Sequence, residues 1–168
     1  MEKNQKKENN NSALKKASFK TQTTFTVDTS KLERRQIYTN ADLMEIFAIS
    51  GQGGMRRSHR TNSLVLISNH HRSKERNPYE DKWINGVFHY TGMGMIGDQN
   101  INDRQNRTLA ESNENEVSVY LFESFRTNEY TYIGKVYLAG TPYYVEEVDS
   151  NSNLRKVIKF PVSLVEHE

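Results

Sequence analysis

Hydrophobic positions are almost absent from the first 24 residues, which are rich in Lys, Asn, Ser and Thr, and become regular only from about Phe25. A segment with so few apolar side chains has little to bury, so residues 1–24 are predicted to be a disordered basic tail, either an inert extension or an arm with affinity for phosphates. Residues 25–168 are predicted to form one folded domain.

Two short helices are predicted. In the segment TNADLMEIF (39–47), Thr39 or Asn40 can cap the N-terminus and Asp42 suits the first turn. The apolar face of this helix is expected to consist of Leu43, Met44, Ile46 and Phe47. The segment RQNRTLAES (104–112) predicts the second helix, and the glycines at 51, 53 and 54 predict a flexible loop after the first.

Most of the remaining hydrophobic pattern indicates strands. The continuous apolar run at 63–68 predicts a buried strand, and a polar loop follows at 69–78. Shorter or alternating segments predict further strands at 86–91, 117–123, 129–138, 143–148 and 154–164. The predicted fold class is therefore α+β: a curved antiparallel or mixed sheet with two short helices, whose closure into a barrel would hide the strand edges.

Composition limits the classes of protein to consider. The 168 residues carry a net charge of +2, with 35% hydrophobic residues and no cysteine, so disulfides, thiolate metal sites and a cysteine nucleophile are excluded. No apolar run approaches the ~20 residues that cross a bilayer, and the N-terminus has no signal-peptide core, so a cytoplasmic protein is expected. Basic residues dominate between Arg56 and Arg76, which is typical of a surface that faces a polyanion.

Catalytic and metal-binding motifs are not found in the sequence. The five histidines are scattered, and the adjacent pair His70 and His71 would point in opposite directions on an extended chain, so no metal and no cofactor are predicted. Nucleotide-binding fingerprints, a serine-hydrolase motif and the HNH nuclease constellation are also missing. We therefore expect a binding module, with no enzymatic activity in this chain.

One block concentrates the remaining chemistry. It contains Tyr79-Glu-Asp81, then Tyr90-Thr-Gly-Met-Gly94, then Gly97-Asp98-Gln99, and finally Asn106-Arg107-Thr-Leu109. This order resembles the SRA (SET and RING-associated) domain, in the form found on bacterial modification-dependent HNH restriction endonucleases. The resemblance covers roughly residues 50 to 165. It implies a PUA-like twisted β-barrel crescent that binds double-stranded DNA and flips a modified cytosine, of the 5-methyl or 5-hydroxymethyl class, out of the duplex. An HNH nuclease domain or subunit is the implied partner, and no membrane is involved.

The resemblance also implies roles for particular residues. Tyr79 and Tyr90 would be the two faces of a base sandwich, Asp81 would accept from the Watson–Crick edge, and Thr91 with Gly92 would form the pocket floor. In the eukaryotic form the acidic residue follows the tyrosine by three positions, whereas Asp81 follows Tyr79 by two. Contacts to the DNA backbone or groove are expected from Arg56, Arg57, Arg60, Arg72, Lys74, Gly94, Asp98, Gln99, Asn106 and Arg107.

Physical chemistry makes this constellation reasonable. Extruding a base costs a few kcal/mol, and stacking on an aromatic ring returns roughly 1–3 kcal/mol per contact, so two tyrosines can offset the extrusion. The N4 amino group of cytosine donates and N3 accepts, which an ionised Asp81 and a backbone N–H near Thr91 would match.

Two rival functions remain open. A PUA-like RNA-binding module would bind single-stranded RNA with no preference for modified duplex DNA. A small hydrolase or deaminase would use Asp98 and His89 as acid and base, although no third orienting group is evident in the sequence.

Overall fold

A computed structural model describes residues 25–166. The predicted basic tail at 1–24 lies outside the described residues. The elements, in chain order, are β1 (Ile37–Tyr38), α1 (Asn40–Phe47), β2 (Met55–Ser58), β3 (Ser63–Asn69), β4 (Lys82–Ile84), β5 (Val87–Thr91), α2 (Arg104–Ala110), β6 (Ser118–Arg126), β7 (Glu129–Leu138), β8 (Tyr143–Val148) and β9 (Leu154–Leu164). The predicted α+β class, with two short helices beside a large sheet, is confirmed.

The nine strands found within residues 25–166 belong to one mixed sheet. Its main path runs β2-β3-β6-β7-β9-β5-β4, while β1 pairs with β7 and β8 pairs with β9. The β3–β6 pair is parallel, with Ser63 opposite Ser118, and the other pairs are antiparallel. β3 and β6 therefore adjoin in the sheet although residues 70–117, which include β4 and β5, separate them along the chain.

The sheet stays open, contrary to the expected closure into a barrel. Within residues 25–166 no ladder joins the end strands β2 and β4. The long strand β9 pairs with β8 along its first half and with both β5 and β7 along its second. The sheet therefore branches at β9 and forms a crescent.

The core lies on both faces of the sheet. On β3, Leu64 and Leu66 pack into one hydrophobic cluster with Phe160, whereas Val65 and Ile67 pack into the other. A strand covered on both faces is expected to be apolar at every position, which explains the continuous run that predicted it.

The helix α1 is stabilised as predicted at its N-terminus. Thr39 accepts a hydrogen bond from the backbone of Asp42, and the Asp42 carboxylate accepts one from the backbone of Thr39. Leu43 and Phe47 are fully buried in the second cluster. Met44, expected on the apolar face, is 43% exposed because it is adjacent to Leu43 and so lies a third of a turn away.

Candidate nucleic-acid interface

Tyr90 lies on β5, whose neighbours are β9 and β4. Its hydroxyl donates to the carbonyl oxygens of Gly54, at 2.9 Å, and Ile67, at 3.2 Å. The residue is only 3% exposed, and burial raises the pKa of its phenol well above the usual value, which keeps the hydroxyl a donor. Tyr90 thus links β5 to the glycine loop before β2.

Tyr79 lies in the irregular segment before β4 and is half-buried. Its hydroxyl oxygen accepts from the backbone N–H of Gly94 at 3.3 Å. Burial also raises the pKa of Tyr79. Both tyrosines are therefore held through their hydroxyl oxygens by glycine backbone.

The two tyrosines line the same two adjoining cavities. The first, here called the tyrosine cavity, has a volume of about 520 Å³. It is lined by Gly51, Gln52, Gly53, Gly54, Arg56, Ile67, Asn69, Arg72, Arg76, Asn77, Tyr79, Tyr90, Met95 and Tyr130. The second, here called the methionine cavity, has about 270 Å³ and is lined by Gly53, Gly54, Met55, Tyr79, Tyr90, Thr91, Gly92, Met93, Gly94, Met95 and Arg104. Four of the five predicted pocket residues are thus brought together at these cavities.

Asp81, the fifth predicted pocket residue, borders neither cavity. Its Oδ1 accepts from the backbone N–H of Thr91 at 2.6 Å, and its Oδ2 accepts from the Ser68 hydroxyl at 2.7 Å. Burial raises the pKa of Asp81, against the lowering effect of these hydrogen bonds and of the Lys159 charge. The two groups expected to read the base edge therefore bind each other in this structure.

Two buried amides hold the loop at Gly92–Gly94. Asn106, on α2, accepts from the Met93 N–H and donates to the Met93 and Asn100 carbonyls, while Gln99 donates to the carbonyls of Gly92 and Gly94. A Cβ on Gly92 would lie 2.8 Å from the Asn106 side chain, so only glycine fits there. The side-chain amides of Gln99 and Asn106 are therefore bonded within the protein. The expected contacts of these two residues with DNA remain a prediction.

Arg56 and Arg57 likewise have internal partners. The Arg56 guanidinium donates to the Gly53 carbonyl at 2.8 Å and to Asn40 Oδ1 at 2.6 Å. Arg57 donates to the Ser58 and Ser63 carbonyls and to Asn62. Burial lowers the pKa of both guanidinium groups. Either side chain would have to give up these bonds to reach a phosphate.

The other expected DNA contacts are spread over the surface. Arg60 lies over the ring of Phe25, Lys74 pairs with Glu80 at 3.4 Å, and Arg107 pairs with Glu111 at 3.0 Å. Asp98 accepts from the backbone N–H of Lys156. None of these four lines either cavity.

Arg72 and Arg76 are different, because both line the tyrosine cavity and have free guanidinium groups. Neither side chain makes a hydrogen bond or an ion pair with another described residue. Their loop is ordered from within: Asn69 Oδ1 accepts from the backbone of His71 and Arg72, and the Asn77 side chain donates to the Asn69 carbonyl at 2.6 Å. A third cavity of about 770 Å³, here called the loop groove, shares Asn69, Arg72, Arg76 and Tyr130 with the tyrosine cavity.

Sequence reasoning did not identify several lining residues. Met55, Met95 and Tyr130 were not singled out, because an isolated methionine or strand tyrosine carries no signal of what it faces. Arg76 belongs to the basic segment from Arg56 to Arg76. The charge of this segment indicates a polyanion-facing surface but not which of its side chains lack a partner within the described residues.

The acid–base pair of the hydrolase hypothesis is not assembled. The His89 ring bonds the Tyr143 hydroxyl, and His89 lies opposite Pro161 of β9. Asp98 bonds to the backbone of Lys156, five residues away along β9, which corresponds to roughly 16 Å of extended strand. Within residues 25–166, no group of three or more potential ligands could hold a metal ion, and no helix has the length and apolarity to span a bilayer.

A polar chain extends from Asp81 away from the cavities. Ser68, which donates to Asp81, also contacts His70 Nε2 at 3.3 Å, and that nitrogen lies 2.9 Å from Glu123 Oε1. Because the serine and the carboxylate share one ring nitrogen, the arrangement differs from a catalytic triad, in which they bond opposite nitrogens. The hydrogen bond to Glu123 raises the pKa of His70.

The sequence model of a family described as "ScoMcrA-like, SRA domain" matches residues 33–168. No curated protein matches the sequence. A structure of the sulfur-binding and SRA domains of ScoMcrA complexed with phosphorothioated DNA is similar with a TM-score of 0.63 at 14% identity, over 80% of this chain and 40% of that chain.

Two further structures bear on the fold. The Type IV phosphorothioation-dependent restriction endonuclease ScoMcrA has a TM-score of 0.61 at 14% identity, over 80% of this chain and 28% of that chain. The SUVH5 SRA domain in complex with fully methylated CG DNA has a TM-score of 0.60 at 19% identity, over 86% of this chain and 96% of that chain. This chain therefore spans less than half of the ScoMcrA chains and nearly all of the SUVH5 one. The SRA fold expected from the sequence is confirmed.

The contact between His70 and Glu123 predicts a pH-dependent stability. Because the folded pKa of His70 is raised, its stabilisation should be fully present below pH about 6.5 and lost as the pH rises through the folded pKa. The effect should be under about 1 kcal/mol, since the pair is partly solvated. Denaturant unfolding across this range should show the loss in the wild type but not in His70→Gln. His71→Gln, at a ring that contacts no carboxylate among the described residues, should behave as the wild type; equal pH profiles for all three proteins would contradict the assignment.

Proposed function

Since the chain belongs to the ScoMcrA-like SRA domain family, we propose that it binds double-stranded DNA and recognises a modified cytosine by flipping it out of the helix. The modification is of the 5-methyl or 5-hydroxymethyl class. The observation that carries the proposal is the pair Tyr79 and Tyr90, which line the same two adjoining cavities and are held through their hydroxyl groups.

The cavities suit a base better than a flat surface would. The tyrosine cavity, at about 520 Å³, is within the range of small-molecule sites. Met95 lines both cavities and is 42% exposed, and its flexible thioether is the side chain that can move aside to admit a base. With Tyr90 only 3% exposed, stacking on its ring depends on such a movement.

Asp81 reads the base edge in this proposal without abandoning its internal partners. Each carboxylate oxygen has two lone pairs, so both can keep their bonds to Thr91 and Ser68 and still accept from the N4 amino group.

The phosphates are bound beside the pocket by Arg72 and Arg76. Both guanidinium groups are free, and both arginines line the tyrosine cavity and the loop groove. They can therefore bind the DNA phosphates on either side of an extruded nucleotide. Arginine suits this role because its fork matches two phosphate oxygens at once.

In its biological context, the domain serves as the specificity module of a modification-dependent restriction system in the cytoplasm. This is supported by the description of ScoMcrA as a restriction endonuclease. An HNH nuclease domain or subunit would supply cleavage.

The proposal is tested by a gel-shift comparison of one duplex that carries cytosine, 5-methylcytosine, 5-hydroxymethylcytosine or glucosylated cytosine at a single position. Tighter binding to at least one modified duplex than to the unmodified one is expected. Equal affinity for all four, or a preference for single-stranded RNA of the same sequence, would overturn the proposal, and the second result would support an RNA-binding module.

Tyr79→Ala should weaken binding to the preferred modified duplex by roughly 1–3 kcal/mol, because one stacking face is lost. Non-specific binding should change little, since phosphates supply it. Tyr144→Ala, at an exposed tyrosine of β8, is the matched control and should bind normally. An equal loss for modified and unmodified duplexes would remove Tyr79 from the base site.

Arg72→Gln and Arg76→Gln should each lower the slope of log K against log salt by up to about 0.9, the value for one phosphate contact, for modified and unmodified duplexes alike. Arg57→Gln is the control, because the guanidinium of Arg57 is already bonded to Ser58, Asn62 and Ser63. A slope that falls in Arg57→Gln and not in the other two would place the phosphate surface at β2.

A further inference from the structure

Lys159 is a buried cation on β9. It is 3% exposed, and its ammonium nitrogen contacts three oxygen atoms. These are Glu147 Oε2 at 2.7 Å, the Glu80 carbonyl oxygen at 2.9 Å and Thr91 Oγ1 at 2.6 Å. One ammonium group thus uses all three of its hydrogens.

Two of these oxygens belong to the segments that carry the tyrosines. Glu80 follows Tyr79 directly in the chain, and Thr91 follows Tyr90. The ammonium of Lys159 therefore joins the segment of one wall to the segment of the other. The bond from the Thr91 N–H to Asp81 joins the same two segments a second time.

This link matters because the two walls differ in how the backbone holds them. Tyr90 lies on β5 opposite Phe160 of β9, and the residue before it, His89, is paired with both β4 and β9. Residues 77–81 belong to no strand or helix. The position of Tyr79 relative to Tyr90 therefore depends on side-chain bonds, which include those of Lys159 and Asp81.

We infer that Lys159 is a positioning residue of the base pocket, which sets the separation of Tyr79 and Tyr90 from behind while touching neither cavity. This inference rests on the proposed function. Stability alone does not account for the residue, because a buried ion pair is generally no better than a pair of apolar side chains of similar volume. The second oxygen of Glu147 is moreover buried with no hydrogen-bond partner among the described residues. An apolar pair would fill the space but would not bind the Glu80 carbonyl and the Thr91 hydroxyl.

The test replaces both members of the ion pair. In Lys159→Met/Glu147→Met no unpaired charge remains buried, so folding should be retained, whereas the link between the walls is lost. The matched control is Lys156→Met/Glu146→Met, which makes the same substitutions at exposed, directly opposed positions of the same two strands. Thermal unfolding and the ratio of dissociation constants for unmodified and modified duplexes are measured for each protein.

The first double variant is expected to unfold near the wild-type temperature, and its ratio should fall roughly fivefold or more, the equivalent of one weak stacking contact. The control should keep the wild-type ratio. An unchanged ratio in a folded Lys159→Met/Glu147→Met protein would overturn the inference and leave the proposed function intact. A wild-type ratio near one would instead overturn the proposed function itself.

A second pair of variants decides the matter if the double variant does not fold. Thr91→Ser keeps the hydroxyl that binds Lys159, and Thr91→Val removes it with little change of shape. Because both variants change the same lining position, the comparison is between them: the ratio should be lower in Thr91→Val than in Thr91→Ser. Equal ratios in these two variants would show that the contact of Lys159 does not position the pocket.

Discussion

The hydroxyl groups of Tyr79 and Tyr90 are bonded to glycine backbone, and the geometry of the site depends on these bonds. Tyr90 donates to the loop before β2, and Tyr79 accepts from the loop after β5. A hydrogen bond at the hydroxyl group fixes the orientation of a tyrosine ring without using either face of the ring. The glycine loops are therefore part of the walls, and whatever orders the loops also orders the rings.

Buried polar groups do that ordering. Gln99 and Asn106 bind the three carbonyls of Gly92–Gly94 and the N–H of Met93, in the loop that follows β5. Asp81 and Lys159 perform the same task for the segment that carries Tyr79. A buried polar group left without a partner costs about 1–3 kcal/mol, so such networks favour one loop arrangement over its competitors.

Hydrophobic periodicity was sufficient to predict most of the sheet. The apolar run at 63–68 indicates a strand because β3 is covered on both faces. The helix α1 is indicated by its capping residue together with the helical spacing of its buried positions, Leu43 and Phe47. The strand β2 was missed because its two arginines gave the segment a polar pattern, although both are bonded to backbone carbonyls. The strand β4 was missed because all three of its residues are exposed.

The site was predicted less completely than the fold, for a related reason. The types of residue in the block from Tyr79 to Arg107 indicated a base pocket, but a sequence does not show which polar side chains are satisfied internally. Asn106 and Arg107 are adjacent on α2, yet the first is fully buried under a loop and the second faces solvent. Only the packing of α2 against that loop separates them.

The parallel pairing of β3 with β6 has a consequence for how such a domain can change. Both tyrosines, the methionines at 93 and 95, and both free arginines lie in the excursion that the chain makes between these two neighbouring strands. Loop-closure entropy grows only slowly with length, so insertions and deletions in the irregular parts of this excursion, outside β4 and β5, disturb the central ladder little. The sheet can therefore be inherited almost unaltered while the shape and chemistry of the cavity diversify.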